Sequence, residues 1–368
     1  MENKVYINDI ILNSANAVLQ IQKENGSFPP GHNGPWNNED TPVRVTSHWA
    51  ILLLKAYDLT NDNKFLQSSK KAYSYLTSKK ARPYKNSFYC IESENKVIQS
   101  NGLIGQAWVL ESLIEGYNHF NDSNILNLAE DLIIKHSFDE ELCLWHGLGL
   151  KGETLKIHRT FNQQLWFSVM AFIVANICNN NEILINTKKF FEQLPSFINF
   201  KNFIRMHIKE DVFKKKASKI DHYSTRVKGL AAKSYFTKIS RGYLSFSLLG
   251  LSILYNIDRT MDLWKDVKLR EMISQSTSYL DKKVFQDDGN KFGFQYNPIG
   301  FEVACLKEKF SDYFGDYKGK TIENWIIKQL NNHYDFNKMM LVKNTNDQNT
   351  LSSRIYELTK LENRLLKI

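Results

Sequence analysis

Six short polar motifs recur along the chain, each opening a long apolar stretch, and their spacing constrains the fold more than any other feature. They begin at Arg44, Asn101, Arg159, Arg241, Asn297 and Arg354, which gives steps of 57, 58, 82, 56 and 57 residues. Near-constant steps mark repeated supersecondary units, none of which can bury its apolar face alone. A step of this length holds one helical hairpin and a long connection. The stretches after the motifs are, in most cases, apolar nearly all round, as in helices enclosed by other helices. Those between them are two-faced: residues 5–24 carry Ile10, Ile11, Ala15, Val18 and Leu19 at helical spacing, and 63–78 carry Phe65, Leu66, Ala72, Tyr73 and Leu76. The pattern predicts an all-α chain in which six inner and six outer helices close into a ring, an (α/α)6 toroid spanning residues 1–368 as a single domain.

The one irregular step contains most of the charge imbalance. Between Lys201 and Arg241 there are twelve Lys or Arg against three acidic residues, and the rest of the chain is balanced against a formal net charge of +9. We read 201–238 as a basic insertion at the rim, suited to an acidic polymer, a membrane surface or solvent alone. No nucleic-acid motif accompanies the charge, so a nucleic-acid partner is not expected.

Other features narrow the class. The start, M-E-N-K-V-Y-I-N-D-I-I, lacks the basic and apolar regions of a signal peptide, and the cytoplasm is the expected compartment. The longest apolar stretch, around Leu165–Ile177, reads as too short for a bilayer and contains Ser168 and Asn176, so no integral membrane segment is expected. Cys90, Cys143, Cys178 and Cys305 are far apart and the histidines are scattered. Neither a disulfide framework, a metal site nor a cofactor is expected.

Connections entering the inner helices are long and strand-like, as in S-F-Y-C-I-E-S, L-C-L-W-H-G-L-G-L, F-G-F-Q-Y and K-M-M-L-V; those leaving are short, as in T-N-D-N-K. Function concentrates on long loops held by a rigid scaffold, which places the mouth at the N-terminal ends of the inner helices. The loop Gly26–Trp49 is the richest of these. The candidate binding residues there are Trp36, Arg44, Trp49, Asn101, Gln106, Trp108, Trp145, His158, Arg159, Asn162, Gln163, Trp166, Arg241, Tyr243, Asn297 and Arg354. Aromatic faces beside amides, imidazoles and guanidinium groups suit a sugar ring, whose C–H face stacks while its hydroxyls need donors and acceptors.

The hairpin period together with G-S-F…D-T-P-V-R…H-W, N-G-L-I-G-Q-A-W, F-N-Q-Q-L-W and Y-N-P-I-G-F-E resembles the six-hairpin glycosidase superfamily, with uronyl hydrolases, epimerases and polysaccharide lyases among its members. Within it the chain is most similar to members associated with surface-polysaccharide or protein-glycosylation gene clusters. The likeness covers essentially the whole chain and implies carbohydrate chemistry. Four arginines at predicted helix starts point to an acidic substrate, a uronate-like oligosaccharide or polysaccharide. Hydrolysis needs two carboxyl groups, and Asp40 and Glu302 are the expected pair, with Glu39 and Asp347 less well placed. A lyase or epimerase would instead use His48, His158, Tyr243 or Tyr296 in the same cleft, with His48 and Tyr296 next in line after the carboxylates. A glycan-binding or assembly protein would keep the aromatics and arginines without a matched acid and base.

Overall fold

A computed structural model describes residues 4–214, 230–314 and 319–368. Its first half holds α1 (Ile7–Leu19), α2 (Val43–Thr60), α3 (Asn63–Leu76), α4 (Gly102–Phe120), α5 (Ser123–Ile134), α6 (Phe161–Cys178) and α7 (Asn181–Phe197). After these come α8 (Glu210–Lys214), α9 (Leu230–Gly242), α10 (Leu244–Ile257), α11 (Val267–Tyr279), α12 (Ile299–Lys309), α13 (Ser311–Phe314), α14 (Ile322–His333) and α15 (Gln348–Ser353), the last continuing as the 3-10 segment Arg354–Lys360.

The inner ring closes. Helix α2 packs on α4, α4 on α6, α6 on α10, α10 on α12, α12 on the segment Arg354–Lys360, and that segment back on α2. Outer helices lie against their inner partners, α3 on α2, α5 on α4, α7 on α6 and α14 on α12. One apolar core runs through the hairpins from Ile7 to Leu366. At the seam, β1 (Lys4–Tyr6) pairs antiparallel with β7 (Leu365–Lys367), joining the two ends of the chain.

Local sequence explains why each hairpin turns where it does. Helices α2, α4 and α6 all end on an asparagine in the left-handed region, Asn61, Asn121 and Asn179, a conformation that asparagine tolerates better than most residues. The next residue, Asp62, Asp122 or Asn180, then caps the outer helix by accepting a backbone N–H. This pair of residues gives a sharp reversal, so the inner helices leave through short turns at one end. The long connections gather at the other. Among them β2 (Phe138–Asp139), β3 (Leu144–Leu148) and β4 (Thr154–Ile157) form a small antiparallel sheet, and β5 (Tyr334–Asp335) pairs with β6 (Met340–Leu341).

Several expectations differ from the structure. The segment 87–93 forms only a bridge between Asp40 and Ile91, and 292–296 is turn, because both spend their backbone groups on local loop contacts. The fourth inner helix begins at Leu244, which puts Arg241 in the last turn of α9 instead of at a helix start. The sixth begins at Gln348, capped by Asp347, so Arg354 lies well inside the ring. Helix α6 is, at 18 residues, long and apolar enough to cross a membrane by length and composition, contrary to the sequence reading, yet 72% of it is buried. Its neighbours α4, α7 and α10 account for that burial. Of the basic insertion, residues 215–229 lie outside the described residues; its described start, around Phe203–Ile208, tucks three apolar side chains into the core and bridges Thr160 through His207.

Candidate functional site

A cavity of about 390 Å³ opens at the N-terminal ends of α4, α6, α10 and α12. Nine of the residues proposed from sequence line it: Trp36, Asn101, Trp108, His158, Asn162, Gln163, Tyr243, Tyr296 and Asn297. The loop 31–40 supplies one wall because its backbone makes two unusual turns, with Asn33 and Gly34 both at positive φ. A Cβ on Gly34 would overlap the Tyr296 ring, so this position needs glycine for space as well as for conformation. Asn101 and Gly102 repeat the left-handed pair on the opposite side, where Gln163 accepts the N–H of Leu103 at 3.1 Å and secures the first turn of α4. Positive-φ residues gathered at one cavity are the strain that functional sites tend to hold.

Arg44 sits directly beneath this wall. Its Nη1 donates to Asn33 Oδ1 at 3.1 Å and to the Tyr296 hydroxyl at 3.2 Å, and Tyr296 donates to Asn33 Oδ1 at 2.7 Å. Its guanidinium also lies 4.1 Å from the centre of the Trp108 ring. Nε and Nη2 have no hydrogen-bond partner although buried, which leaves charged donors available beneath the cavity. Asp40 lies 3.6 Å from Arg44, beyond hydrogen-bond reach, and is itself 4% exposed. Burial pushes its carboxyl up to about 6, opposed by Arg44 and helped by Asp347.

Two imidazoles face the cavity, His158 and His207. Burial lowers both, His158 to about 4 with a further push from His207, so both are neutral at pH 7. Neither Nδ1 has a hydrogen-bond partner, and the same holds for Asn162 Oδ1. Tyr243 accepts from the Trp36 indole at 2.9 Å, and burial raises its hydroxyl well above the ordinary tyrosine range. Asn297 is spent on structure, donating to the carbonyls of Gly242 and Phe292.

The remaining proposed residues lie elsewhere. Glu302 is fully buried in the ring, held by Arg354 at 2.7 Å and by Ser245 at 2.5 Å, and it does not reach the cavity. Arg354 also binds Glu357 at 2.9 Å. Burial lifts the Glu302 carboxyl to about 7 against the pull of Arg354. His48 is buried below the floor, stacked on Tyr356 at 4.4 Å with Nδ1 at 3.1 Å from Ser353 Oγ. Trp49 packs near Phe28, Trp145 donates to Ser168 and Trp166 stacks on Phe246. Gln106 spans the backbone of Phe88 and Ser100. Arg159 rests on Phe213 at the surface, and Arg241 pairs with Asp287 at 3.7 Å. These side chains carry polar groups because a ring of crossing helices needs its long loops tied down.

Sequence reasoning missed Asn33, Asn38, Thr160, Met206, His207 and Phe246 in the lining. Asn33 stands in G-H-N-G, a turn signal that could have suggested its strained role, and Phe246 follows Tyr243 by about a turn. His207 carried no usable signal, since the charge around it pointed to solvent. Among the described residues, no three His, Cys, Asp or Glu gather as a metal site, and no carboxylate lines the cavity.

No family model matches the chain. It is 33% identical over 371 residues to archaeal glycosylation protein Q of Haloferax volcanii, with 97% of each chain covered. Its fold is similar to that of cellobiose 2-epimerase from Bacillus thermoamylovorans B4167, at 12% identity, with a TM-score of 0.64 over 96% of this chain and 98% of that one. The GH76A alpha-1,6-mannanase of Salegentibacter sp. HEL1_6 is similar at 12% identity, TM-score 0.61 and the same coverage. An unsaturated glucuronyl hydrolase specific for heparin follows at 13% identity and TM-score 0.60, with 96% of each chain covered. The likenesses to solved structures show the (α/α)6 toroid fold.

Proposed function

The chain belongs to the family of archaeal glycosylation protein Q, built on the six-hairpin toroid, and from that premise we propose that it is a carbohydrate-active enzyme that epimerises or isomerises an acidic sugar. The observation that carries this reading is the pair of neutral, unpartnered imidazoles, His158 and His207, on a cavity with no carboxylate among its described lining residues. Hydrolysis by a carboxylate pair, the first expectation from sequence, would need a second acid beside Asp40. Glu302 is committed to Arg354 and Ser245 instead.

The chemistry follows from what neutral imidazoles do. One imidazole takes the proton from a sugar carbon next to a carbonyl or carboxyl group, and the C–H electron pair moves onto the carbonyl oxygen as an enolate. Protonation of the same carbon from the other face by a water molecule held by the second imidazole, with the first imidazolium giving its proton to the hydroxide left behind, gives the epimer; in a sugar with a free carbonyl, transfer of the adjacent hydroxyl proton to the enolate oxygen and protonation of the former carbonyl carbon gives the isomer. The charge that develops on oxygen needs fixed positive partners, and Arg44, with two free nitrogens beneath Trp108 and Tyr296, is positioned to supply them. The same nitrogens suit a substrate carboxylate. Trp36, Trp108, Tyr243 and Tyr296 offer faces for the ring, and Asn101 and Asn162 offer amides for hydroxyls.

The test is product analysis by proton NMR and mass spectrometry on a panel of free and glycosidically linked hexuronic acids with their neutral counterparts. Conversion of an acidic sugar to a stereoisomer or structural isomer of equal mass supports the reading. Addition of water identifies a hydrolase, and an unsaturated product absorbing in the ultraviolet identifies a lyase; either overturns it.

A further inference from the structure

An apolar and basic patch runs from Trp36 on the cavity rim outward along α9, and of its members only Trp36 takes part in the chemistry above. Trp36 is 39% exposed, Tyr235 44% and Phe236 38%. They form one connected group, since the rings of Trp36 and Tyr235 lie 5.3 and 5.9 Å from Phe292 and Phe236 lies 5.9 Å from Tyr235. Phe236 also stands 5.8 Å from His207, which lines the cavity, so the patch runs up to the mouth. Exposed Lys233, Lys238 and Lys291 surround it. The acids close by are already engaged, Asp287 with Arg241 and Asp288 with Lys328. Helix α9 contains three basic residues and no acidic one.

We propose that this patch docks the protein on an anionic lipid bilayer with the cavity mouth facing the headgroups. Aromatic side chains partition into the interface between water and hydrocarbon, and lysines beside them meet anionic headgroups. A glycan platform is the weaker match. Phe236 presents hydrocarbon with no polar atom of its own, and Lys233–Lys238 offers no amide or carboxylate side chain to satisfy sugar hydroxyls. Charge complementarity therefore selects a lipid surface with net negative charge.

The test uses intact protein and the fluorescence of Trp36. The other six tryptophans are each at most 5% exposed, so Trp36 is the one that reaches a bilayer. Mixed phosphatidylglycerol and phosphatidylcholine vesicles, plain or brominated in the acyl chains, are compared with pure phosphatidylcholine in flotation and quenching. The expected result is salt-sensitive flotation with the mixed vesicles only, and quenching that disappears in Trp36→Phe. The double variant Tyr235→Ser with Phe236→Ser should lose at least tenfold in partitioning while keeping the thermal midpoint, whereas Ile185→Ser, at another exposed site, should change neither. Absence of flotation overturns the proposal, as does flotation without quenching of Trp36. Loss of polygalacturonate binding in the double variant, with no flotation of its parent, also overturns it and assigns the patch to a glycan. No readout involves turnover, so failure here leaves the sugar-epimerase reading standing.

Discussion

The guanidinium of Arg44 lies 4.1 Å from the centre of the Trp108 ring, and Trp108 lines the cavity while Arg44 is buried behind it. A charge held this way has its position fixed by the aromatic face, Asn33 and Tyr296, and carries two nitrogens without a hydrogen-bond partner. Arg44→Gln removes the charge but retains some hydrogen-bonding capacity. We expect it to weaken binding of acidic sugars by roughly 10- to 100-fold, the value of one or two charge-assisted hydrogen bonds, with little change for neutral analogues. Titration calorimetry on an acidic and neutral pair of the same sugar checks this.

His158→Ala and His207→Ala should each lower kcat by about 10²-fold or more with the thermal midpoint nearly unchanged, as removal of a general acid or base does. Both imidazoles are held below the ordinary histidine value by burial. The neutral form therefore predominates at pH 6.5 and above, and the acid-side fall in kcat/KM should be centred below pH 6.5. A fall centred at or above pH 6.5 would assign the base elsewhere.

Asp40 gives a stability test with a defined sign. Its folded-state value of about 6 lies above the ordinary carboxyl value of 3.8, so between these the folded state binds the proton more tightly than the unfolded state. Stability should therefore decline as pH rises from about 4 to 6, by an amount on the order of 3 kcal/mol. Asp40→Asn should flatten that slope. Urea midpoints at pH 4, 5, 6 and 7 for both proteins decide it.

Arg354 holds the ring together. Arg354→Met leaves Glu302 buried without its cation and Glu357 with Lys360 alone, and we expect a loss of ~3–5 kcal/mol, the usual consequence of breaking a buried pair from one side. Restoring part of that stability with the added change Glu302→Gln would identify the uncompensated charge as the cause.

How far the chain could be read before its structure follows from these residues. The ring was legible because six polar motifs recur at near-constant steps and the stretches after them are, in most cases, apolar nearly all round. The motif used to mark helix starts, a polar residue before an apolar run, failed where a polar residue serves the interior. Arg354 is such a case, and the true start was written in Asp347, a better cap than any arginine. Arg241 failed for a different reason: α9 ends at Gly242 and α10 begins at Leu244, so two helices meet where one start was expected. Aromatic composition overestimated the site, because Trp49, Trp145 and Trp166 fill gaps between helices and only Trp36 and Trp108 reach the cavity. His207 arrives from a segment distant in sequence, brought in by its bridge to Thr160, a relationship that periodicity cannot encode.

Solvent deuterium uptake tests the central claim most directly. The protein is incubated in D2O with the acidic sugar it converts, and product and recovered substrate are examined by NMR and mass spectrometry. Proton transfer by His158 and His207 predicts deuterium at a carbon next to the carbonyl or carboxyl group, an unchanged heavy-atom skeleton, and loss of that label in His158→Ala or His207→Ala. Product formed without any carbon-bound deuterium, and with cleavage of a glycosidic bond, would contradict the account.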